Sequence, residues 1–375
     1  MSDFAGPLRA IDQWIATSVV AGASAAVWHR GAIAATHVAG DARPGVPVRD
    51  DTLFALASVS KPITAAAVLT GVDDGHFTLD TPVVALVPEF GEVDDPLAGD
   101  VLPQLEALRD RITIRHLLCH TSGLPENVSA QRVRMRDLPP LDDIVDAMIV
   151  TPLTSEPGEV LRYSNVGVGI VARALERATG MPFHAYTGSR ILEPLGLTNV
   201  ATRPGNEFDD RIALVDDPGN PGTDAESYNS AYWRTLGLPW GGFFGTPVDL
   251  ARFAASFVTG QESPLTAGSR AEMTTDQTGG VPGGVHSAGL VWKQGAWGLG
   301  WEVAADKPNH WTGSRRSPHT FCHWGQAGTL VWADPTRDLA FAVFANRSVH
   351  RPWPLKPPRW HDLSDAIVDT ADRLE

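Results

Sequence analysis

The sequence predicts an α+β protein in which one antiparallel β-sheet is flanked by helices. Short apolar, strand-like runs occur near the start of the chain and return after residue 240, whereas helical spacing and proline-rich stretches dominate residues 76–235. Both ends of the chain carry amphipathic helical patterns. Because the strands come from the two ends, we expect one sheet formed by roughly the first 60 and the last 135 residues, with the terminal helices on one of its faces.

This arrangement divides the chain into two predicted domains. The sheet domain comprises residues 1–75 and 236–375, and a mainly helical domain is inserted between them at 76–235. The length is sufficient for one large domain or for two closely joined ones. We expect the active site at the interface of the two domains.

The first part of the chain predicts a helix, a hairpin and a second helix. Apolar residues at helical spacing predict a helix over residues 3–21. The apolar runs Ala25–Trp28 and Ala32–His37 are separated by an Arg-Gly pair, which predicts a β-hairpin. An apolar, alanine-rich helix is expected over residues 58–71, where it ends at a glycine.

The rest of the chain alternates between helical, loop and strand patterns. Helices are predicted at Leu141–Ile149 and Gly167–Ala178, and the Pro/Gly-rich stretches Val215–Thr223 and Thr275–Gly284 predict surface loops. The predicted strands of the last third are Leu290–Val291, Gly298–Val303, Thr329–Ala333 and Leu339–Ala345. The final segment, Asp362–Leu374, has the spacing of an amphipathic helix.

Composition and charge disfavour several classes of function. The 375-residue chain has a formal net charge of −14, which argues against nucleic acids and anionic membranes as partners. No run approaches the roughly 18 apolar residues of a membrane span, and the N-terminal segment lacks a signal-peptide pattern, so we expect a cytoplasmic protein. Cys119 and Cys322 are expected as free, buried thiols. The histidines lack metal-ligand spacing, so we expect no metal or other cofactor, and the oligomeric state stays open.

The first candidate for chemistry is Ser58, in an S-x-x-K motif that ends at Lys61. Residues three apart share one helix face, so the two side chains can touch. Inside a helix, Pro62 would clash with the carbonyl of Ser58, and we therefore expect Ser58 at a helix start, where unpaired N–H groups favour negative charge. Lys61 can take the serine proton only if its pKa is lowered. A capping serine followed by an exposed lysine is the alternative interpretation.

The second candidate is Tyr163, which precedes a helix rich in small residues. A phenol can move a proton where nearby cations stabilise its phenolate. Asn165, two residues later, offers amide donors to a substrate carbonyl. The alternative is an aromatic packing residue followed by an asparagine helix cap.

The third candidate is a segment of four adjacent residues: His323, Trp324, Gly325 and Gln326. Glycines at Gly325 and Gly328 would let a substrate lie along an edge-strand backbone, and a free N–H there would supply an oxyanion donor. The alternative is a tight turn before a strand, with a structural histidine. His310 begins a similar H-W-T-G sequence, but no strand follows it, so we rank it lower.

The order and spacing of the three motifs resemble the penicillin-recognising serine hydrolases. Within them, the class C β-lactamase-related group includes D-aminopeptidases, DD-peptidases and family VIII esterases, and it carries S-x-x-K, then Y-x-N, then K-T-G or H-x-G on an edge strand. The resemblance covers roughly residues 20–350. Further similar stretches are Leu79–Val83, Leu117–Pro125, Glu156–Gly158 and Gly241–Asp249.

The resemblance implies a β-lactamase/transpeptidase-like fold and an acyl-enzyme mechanism. It implies that Ser58 is acylated and that Lys61 and Tyr163 move its proton and later activate water. It further implies that Asn165 holds the amide or ester side of the substrate. The backbone N–H groups of Ser58 and Gln326 would form the oxyanion hole.

Two departures from the β-lactamase pattern point towards esters. His323 stands where that pattern has lysine, and a histidine that is mostly neutral at pH 7 holds a substrate carboxylate less well. Trp324 replaces a small threonine and would crowd or line the pocket. We therefore expect a cytoplasmic serine esterase acting on small esters. Amide hydrolysis, as by a D-aminopeptidase or a weak β-lactamase, is one alternative, and a non-catalytic binding module on the same scaffold is another.

Overall fold

The structure is a computed structural model that describes residues 3–92, 103–258, 260–349, 353–356 and 358–374. The strands within these residues are β1 Gly22–His29, β2 Ala32–Arg43, β3 Val46–Pro47, β4 Phe54–Ala55, β5 Leu161–Arg162, β6 Val200–Ala201, β7 Phe244–Gly245, β8 Gly283–Val285, β9 Leu290–Trp292, β10 Glu302–Val303, β11 Phe321–Gly325, β12 Thr329–Asp334 and β13 Leu339–Ala345.

Helices precede the main sheet, follow it and fill the middle of the chain. The α-helices are α1 Ala5–Leu8, α2 Ala10–Ala16, α3 Ser60–Asp73, α4 Val83–Leu86, α5 Pro103–Glu106, α6 Ile114–Leu118, α7 Leu141–Ile149, α8 Asn165–Thr179, α9 Phe183–Thr187, α10 Ala231–Leu236, α11 Pro247–Ala255, α12 Ala267–Thr274 and α13 Arg359–Arg373. The predicted helices at 141–149, 167–178 and 362–374 are thus confirmed within one to three residues at each end.

The main sheet joins strands from both ends of the chain. Its order is β10-β11-β12-β13-β1-β2-β3, and every neighbouring pair is antiparallel. The predicted N-terminal hairpin is β1 and β2, and β1 pairs with β13 from Ala23 opposite Ala345 to His29 opposite Leu339. The predicted antiparallel α+β architecture is therefore confirmed.

Alternation along the strands divides the core into two layers. Ala340, Ala342 and Phe344 of β13 pack in the layer that contains residues of α3 and α11. Phe341 and Val343, on the opposite face, pack with apolar residues of α1, α2 and α13. The two ends of the chain therefore cover one face of the sheet, as the sequence predicts.

Two predicted elements are shorter in the structure. The helix expected over 3–21 is interrupted at Arg9 and ends at Ala16, because Ser18 adopts a left-handed conformation that turns the chain into β1. The strand expected at Gly298–Val303 is extended only at its last two residues, since Gly300 has a φ of +85°.

Three short strands form a small sheet apart from the main one. The predicted strand at Leu290–Val291 is part of β9, which pairs with β8, and β8 pairs in parallel with β5. The loop expected over Thr275–Gly284 therefore ends in a strand. Gly283 is required there, because a Cβ on it would overlap the backbone of Leu161. Strand β5 of this sheet ends immediately before Tyr163, and the sheet thereby holds that residue beside the cavity described below.

One hydrophobic core cluster contains residues from both predicted domains, among them Ala26, Ile63, Ile144 and Phe344. The boundaries after residues 75 and 235 stay a prediction. Both cysteines are free and buried, as expected. Among the helices of the described residues, none is both long enough and apolar enough to cross a membrane.

Candidate active site

Ser58 lies at the start of a buried helix, where Pro62 led us to expect it. It is the middle residue of a 3-10 turn, Ala57–Val59, that leads directly into α3. Pro62 falls in the first turn of α3, where its missing N–H costs no hydrogen bond. The turn is anchored on a second segment, because the backbone N–H of Phe243 donates to Ser60 Oγ at 3.2 Å.

Lys61 contacts Ser58 and is buried without an acidic partner among the described residues. Lys61 is only 1% exposed. Its Nζ lies 3.0 Å from Ser58 Oγ and 2.6 Å from the carbonyl oxygen of Trp240. Burial lowers the pKa of Lys61 well below its ordinary value, and the more distant charge of Glu126 opposes this only in part. Burial therefore shifts the amine towards its neutral form, which has a lone pair.

Tyr163 packs over the Lys61 amine, with Nζ 4.8 Å from the centre of the phenol ring. Burial raises the pKa of Tyr163 well above its ordinary value, and the neighbouring Ser58 hydroxyl lowers it in part. Within the described part of the chain, the phenol oxygen nevertheless makes no hydrogen bond of standard geometry. The geometry therefore places the phenol near Ser58 as a protonated group.

Asn165 begins α8 beside the same cavity. Its side-chain amide donates to Asn127 Oδ1 at 2.8 Å, and its backbone N–H donates to the carbonyl of Glu126. Its Oδ1 is buried and has no partner among the described residues. The helix start is fixed independently of this side chain, because Ser164 Oγ accepts from the N–H of Gly167.

His323 lies on β11 and is neutral. The expectation of an edge strand is right only in part, because β10 covers β11 at Phe321 and Cys322 and ends before His323. The ring is 3% exposed, and its Nδ1 lies 2.8 Å from the carbonyl oxygen of Trp324. Burial, with the charge of Lys61, lowers the pKa of His323 to about 3. The expected neutral histidine is therefore what the structure gives at pH 7.

The end of β11 is docked directly on the segment that carries Ser58. A Cβ on Gly325 would overlap the carbonyl oxygen of Leu56, so only glycine fits there. Thr329, at the start of β12, donates to the same carbonyl at 2.9 Å. Gln326 lies in the turn between these residues, where its carbonyl accepts from the N–H of Val349 at 2.9 Å.

A cavity of about 660 Å³ connects these groups. The predicted residues that line it are Ser58, Tyr163, Asn165, His323, Trp324 and Gln326, whereas Lys61 and Gly325 lie behind its wall. Aromatic residues supply much of the remaining lining, namely Tyr228, Trp233, Trp240, Trp297, Trp311 and Trp360. Within the described residues, Glu126 is the one acidic residue that lines the cavity, and no lysine or arginine lines it.

Sequence reasoning missed three residues of this site: His120, Glu126 and Trp297. The ring of His120 lies 4.6 Å from that of Tyr163, and its nearly complete burial places it directly behind the cavity wall. His120 belongs to the stretch Leu117–Pro125, whose similarity to the family was a signal that could have pointed to it. No comparable signal marks Trp297, which lies among twelve tryptophans in the chain.

The chain is similar to known proteins both in sequence and in fold. Esterase EstB from Burkholderia gladioli is 36% identical over 200 residues, which are 50% of this chain and 48% of that protein, so the chain spans about half the length of this relative. The crystal structure of a β-lactamase from Mycobacterium bovis has a TM-score of 0.66 at 28% identity, covering 97% of this chain and 99% of the other. A family VIII carboxylesterase structure has a TM-score of 0.79 at 21% identity, covering 98% and 97%, and it supports the fold alone. The sequence model of the Beta-lactamase family matches residues 9–363, and the chain therefore belongs to the beta-lactamase family.

Proposed function

We propose that the protein is a serine hydrolase that cleaves small esters through an acyl-enzyme on Ser58. The observation that carries this proposal is the buried Lys61 amine, 3.0 Å from the Ser58 hydroxyl and without a carboxylate partner among the described residues. Because burial lowers its pKa, the amine is shifted towards the neutral form that can accept the serine proton.

Acylation then proceeds in two steps. The Ser58 proton moves to Lys61 Nζ while Oγ forms a bond to the ester carbonyl carbon, and the carbonyl electron pair moves onto oxygen. The backbone N–H groups of Ser58 and Gln326 hold this oxyanion, and each such donor contributes about 3 kcal/mol to transition-state stabilisation. When the carbonyl reforms, the C–O bond to the alcohol breaks and the leaving oxygen takes the proton.

Tyr163 and Asn165 have supporting roles in this scheme. The raised pKa of Tyr163 keeps its phenol protonated, so we assign the first proton acceptor to Lys61 and proton delivery to Tyr163. In deacylation, water attacks the acyl carbon and gives one proton to the Lys61–Tyr163 pair. The bond between the acyl carbon and Ser58 Oγ then breaks, and Oγ takes a proton back from this pair as the acid leaves. Asn165, with an unpartnered amide oxygen among the described residues, orients the substrate beside the reacting carbonyl.

The charge of the cavity favours esters over carboxylate-bearing lactams. A substrate carboxylate would meet the neutral His323 and the acidic Glu126, with no lysine or arginine among the described lining residues. Trp324 and the other aromatic residues favour an apolar acyl or alcohol group. The similarity to esterase EstB supports the same substrate class. Amide cleavage is the second candidate, supported by the similarity to the Mycobacterium bovis β-lactamase.

A labelling experiment with a substrate panel tests the proposal. A fluorophosphonate should add one adduct mass to the wild type, on Ser58, and none to Ser58→Ala. Short-chain p-nitrophenyl esters should be turned over faster than matched anilides or a chromogenic cephalosporin. Faster turnover of the cephalosporin or the anilides would favour amide cleavage instead. Absence of both labelling and turnover would favour a binding module. Location in the cytoplasm stays a prediction that cell fractionation tests.

A further inference from the structure

Four buried polar atoms around Tyr163 make no hydrogen bond of standard geometry within the described residues, although the Ser58 hydroxyl lies close to the phenol. They are Tyr163 Oη, His120 Nε2, Trp297 Nε1 and His323 Nε2. The four rings form a closed cycle, with centroid distances of 4.6 Å from His120 to Tyr163, 6.1 Å from Tyr163 to His323, 5.8 Å from His323 to Trp297 and 5.1 Å from Trp297 to His120. None of these residues is more than 6% exposed. Buried polar groups are normally paired, so four in one cycle need a common explanation.

Backbone contacts fix the tautomer of His120. The N–H of Ser164 donates to His120 Nδ1 at 3.2 Å, so this nitrogen carries a lone pair. Burial is the main cause that lowers the pKa of His120 well below its ordinary value, and the ring is therefore neutral. The single ring proton is therefore on Nε2, which is a donor.

His323 has the opposite tautomer. Its Nδ1 contacts the carbonyl oxygen of Trp324, which can only accept, so Nδ1 carries the proton and Nε2 is an acceptor. Trp297 Nε1 is a donor only, and the Tyr163 hydroxyl can donate or accept. The cycle thus offers two N–H donors, one acceptor and one hydroxyl, and this set complements a water molecule, which accepts two hydrogen bonds and donates two.

We propose that His120, Tyr163, Trp297 and His323 together bind one water molecule behind Ser58. Such a water orients the Tyr163 hydroxyl, so that His120 and Trp297 act as positioning residues for it. Two N–H donors disfavour a metal ion at this point, and the lone pair of His323 disfavours an anion. Tyr163, Trp297 and His323 also line the cavity, which gives water a route of entry. The binding of this water does not depend on the proposed function, whereas its expected effect on the rate of ester hydrolysis does.

A high-resolution crystal structure of the wild type tests the binding site directly. We expect a density peak about 2.7–3.2 Å from at least three of the four atoms. The peak should persist in a fluorophosphonate adduct of Ser58. Absence of a peak, direct pairing of the four groups, or coordination typical of an ion would overturn the proposal. Replacement of the peak by an atom of the adduct would assign the position to substrate and overturn the positioning role.

Matched substitutions separate the water from simple packing. His120→Asn retains an acceptor for the Ser164 N–H and tolerates the φ of +62° at this position, but it lacks the Nε2 donor. His120→Gln brings an amide donor near the Nε2 position. Trp297→Phe removes the indole N–H and keeps the aromatic packing. Trp301→Phe is the control, because Trp301 Nε1 is also buried without a partner among the described residues but lies outside the cycle.

We expect kcat for ester hydrolysis to fall about tenfold in His120→Asn and in Trp297→Phe, with KM within about twofold of wild type. His120→Gln should recover part of the loss, since it restores a donor but not the acceptor for the Ser164 N–H, and Trp301→Phe should leave both constants unchanged. Wild-type kcat in both donor-deleted variants, or an equal loss in Trp301→Phe, would overturn the positioning role. If no ester is turned over but the peak is present, the proposed function fails and the water site stands.

Discussion

Two lysines are almost fully buried in this protein, and they lie in opposite electrostatic surroundings. Lys61 is 1% exposed, and its Nζ contacts the Ser58 hydroxyl and the Trp240 carbonyl, both uncharged groups. Lys307 is 4% exposed, and its Nζ donates to Glu302 Oε1 at 2.7 Å. The two side chains therefore share residue type and burial and differ in whether a carboxylate accepts from the amine.

The difference determines which chemistry each lysine supports. Without an adjacent carboxylate, desolvation lowers the pKa of Lys61 and favours the neutral base. In the other region burial alone would raise the pKa of Glu302, but the Lys307 ammonium and His310 outweigh burial and hold that pKa at about 2. Lys307 is thus the counter-ion of an ionised carboxylate. Burial therefore lowers the pKa of a lysine and favours its neutral amine only where no acid compensates the charge.

The Glu302 region also brings together donor types that occur in zinc sites. Glu302, His310 and Cys322 place one ligand atom each within 4.8 Å of one another. Lys307 Nζ already donates to the Glu302 oxygen, and a second cation would be repelled by it. Our expectation that the protein binds no metal stays a prediction, which elemental analysis of the purified protein tests.

The largest effect should follow from removal of the Lys61 amine. Lys61→Met fills a similar volume without a basic nitrogen, so we expect kcat/KM for esters to fall by about 10³-fold or more. Stability should stay equal or rise, because a buried amine with no acidic partner is gone. Initial rates measure kcat/KM, and urea unfolding measures the stability. Turnover close to wild type would refute Lys61 as the base, and Lys307→Met is the matched control for loss of a buried lysine.

Removal of the Lys307 amine, in contrast, should lower the stability of the protein. Lys307→Met leaves the Glu302 carboxylate buried with His310 beside it but without its ammonium partner, so the free energy of unfolding should fall by about 3–5 kcal/mol. Addition of Glu302→Gln in the same chain should restore most of this loss, because the uncompensated charge is removed. Urea unfolding of the single and double variants measures the effect. Equal stability of Lys307→Met and wild type would remove the contrast between the two lysines.

The Glu302 pair also predicts how stability depends on pH. The carboxyl has a pKa of about 2 in the folded protein against an ordinary 4.5, so its contribution is full above about pH 4.5 and is lost as pH falls through 2. Relative to the Glu302→Gln/Lys307→Met double variant, wild type should lose about 3 kcal/mol of unfolding free energy over this interval. Urea unfolding at a series of pH values tests this, and a difference that is independent of pH would contradict it.

The sequence predicted those features that depend on local patterns. Apolar runs and helical spacing located the long strands β1, β2, β12 and β13 and the long helices α3, α7, α8 and α13, and the steric demand of Pro62 predicted Ser58 at a helix start. The errors lie where backbone conformation overrides pattern. Gly300 and Ser18 have positive φ values that end extended or helical structure, and neither residue type alone specifies that conformation.

The remainder depends on contacts between distant segments. Both buried lysines donate to a backbone carbonyl, and Lys61 is distinguished from Lys307 by the absence of an adjacent acid among the described residues, a fact that sequence spacing does not carry. The roles of His120 and Trp297 likewise come from rings that are far apart in the chain and meet only in the fold. Motifs therefore identified the groups proposed to react, whereas tertiary packing identified the neighbours that set their pKa values and positions.

The smallest expected effect concerns Glu126, whose charge acts on Lys61 from a distance. Glu126 lines the cavity and partly raises the pKa of Lys61, so Glu126→Gln should lower that pKa further. The acid limb of the kcat profile, where Lys61 becomes protonated, should move to lower pH by less than about one unit. Ser287→Ala is the matched control, since it removes the 2.9 Å hydrogen bond to Glu126 and keeps the charge. An acid limb that moves to higher pH, or that shifts equally in the control, would show that it does not report the protonation of Lys61.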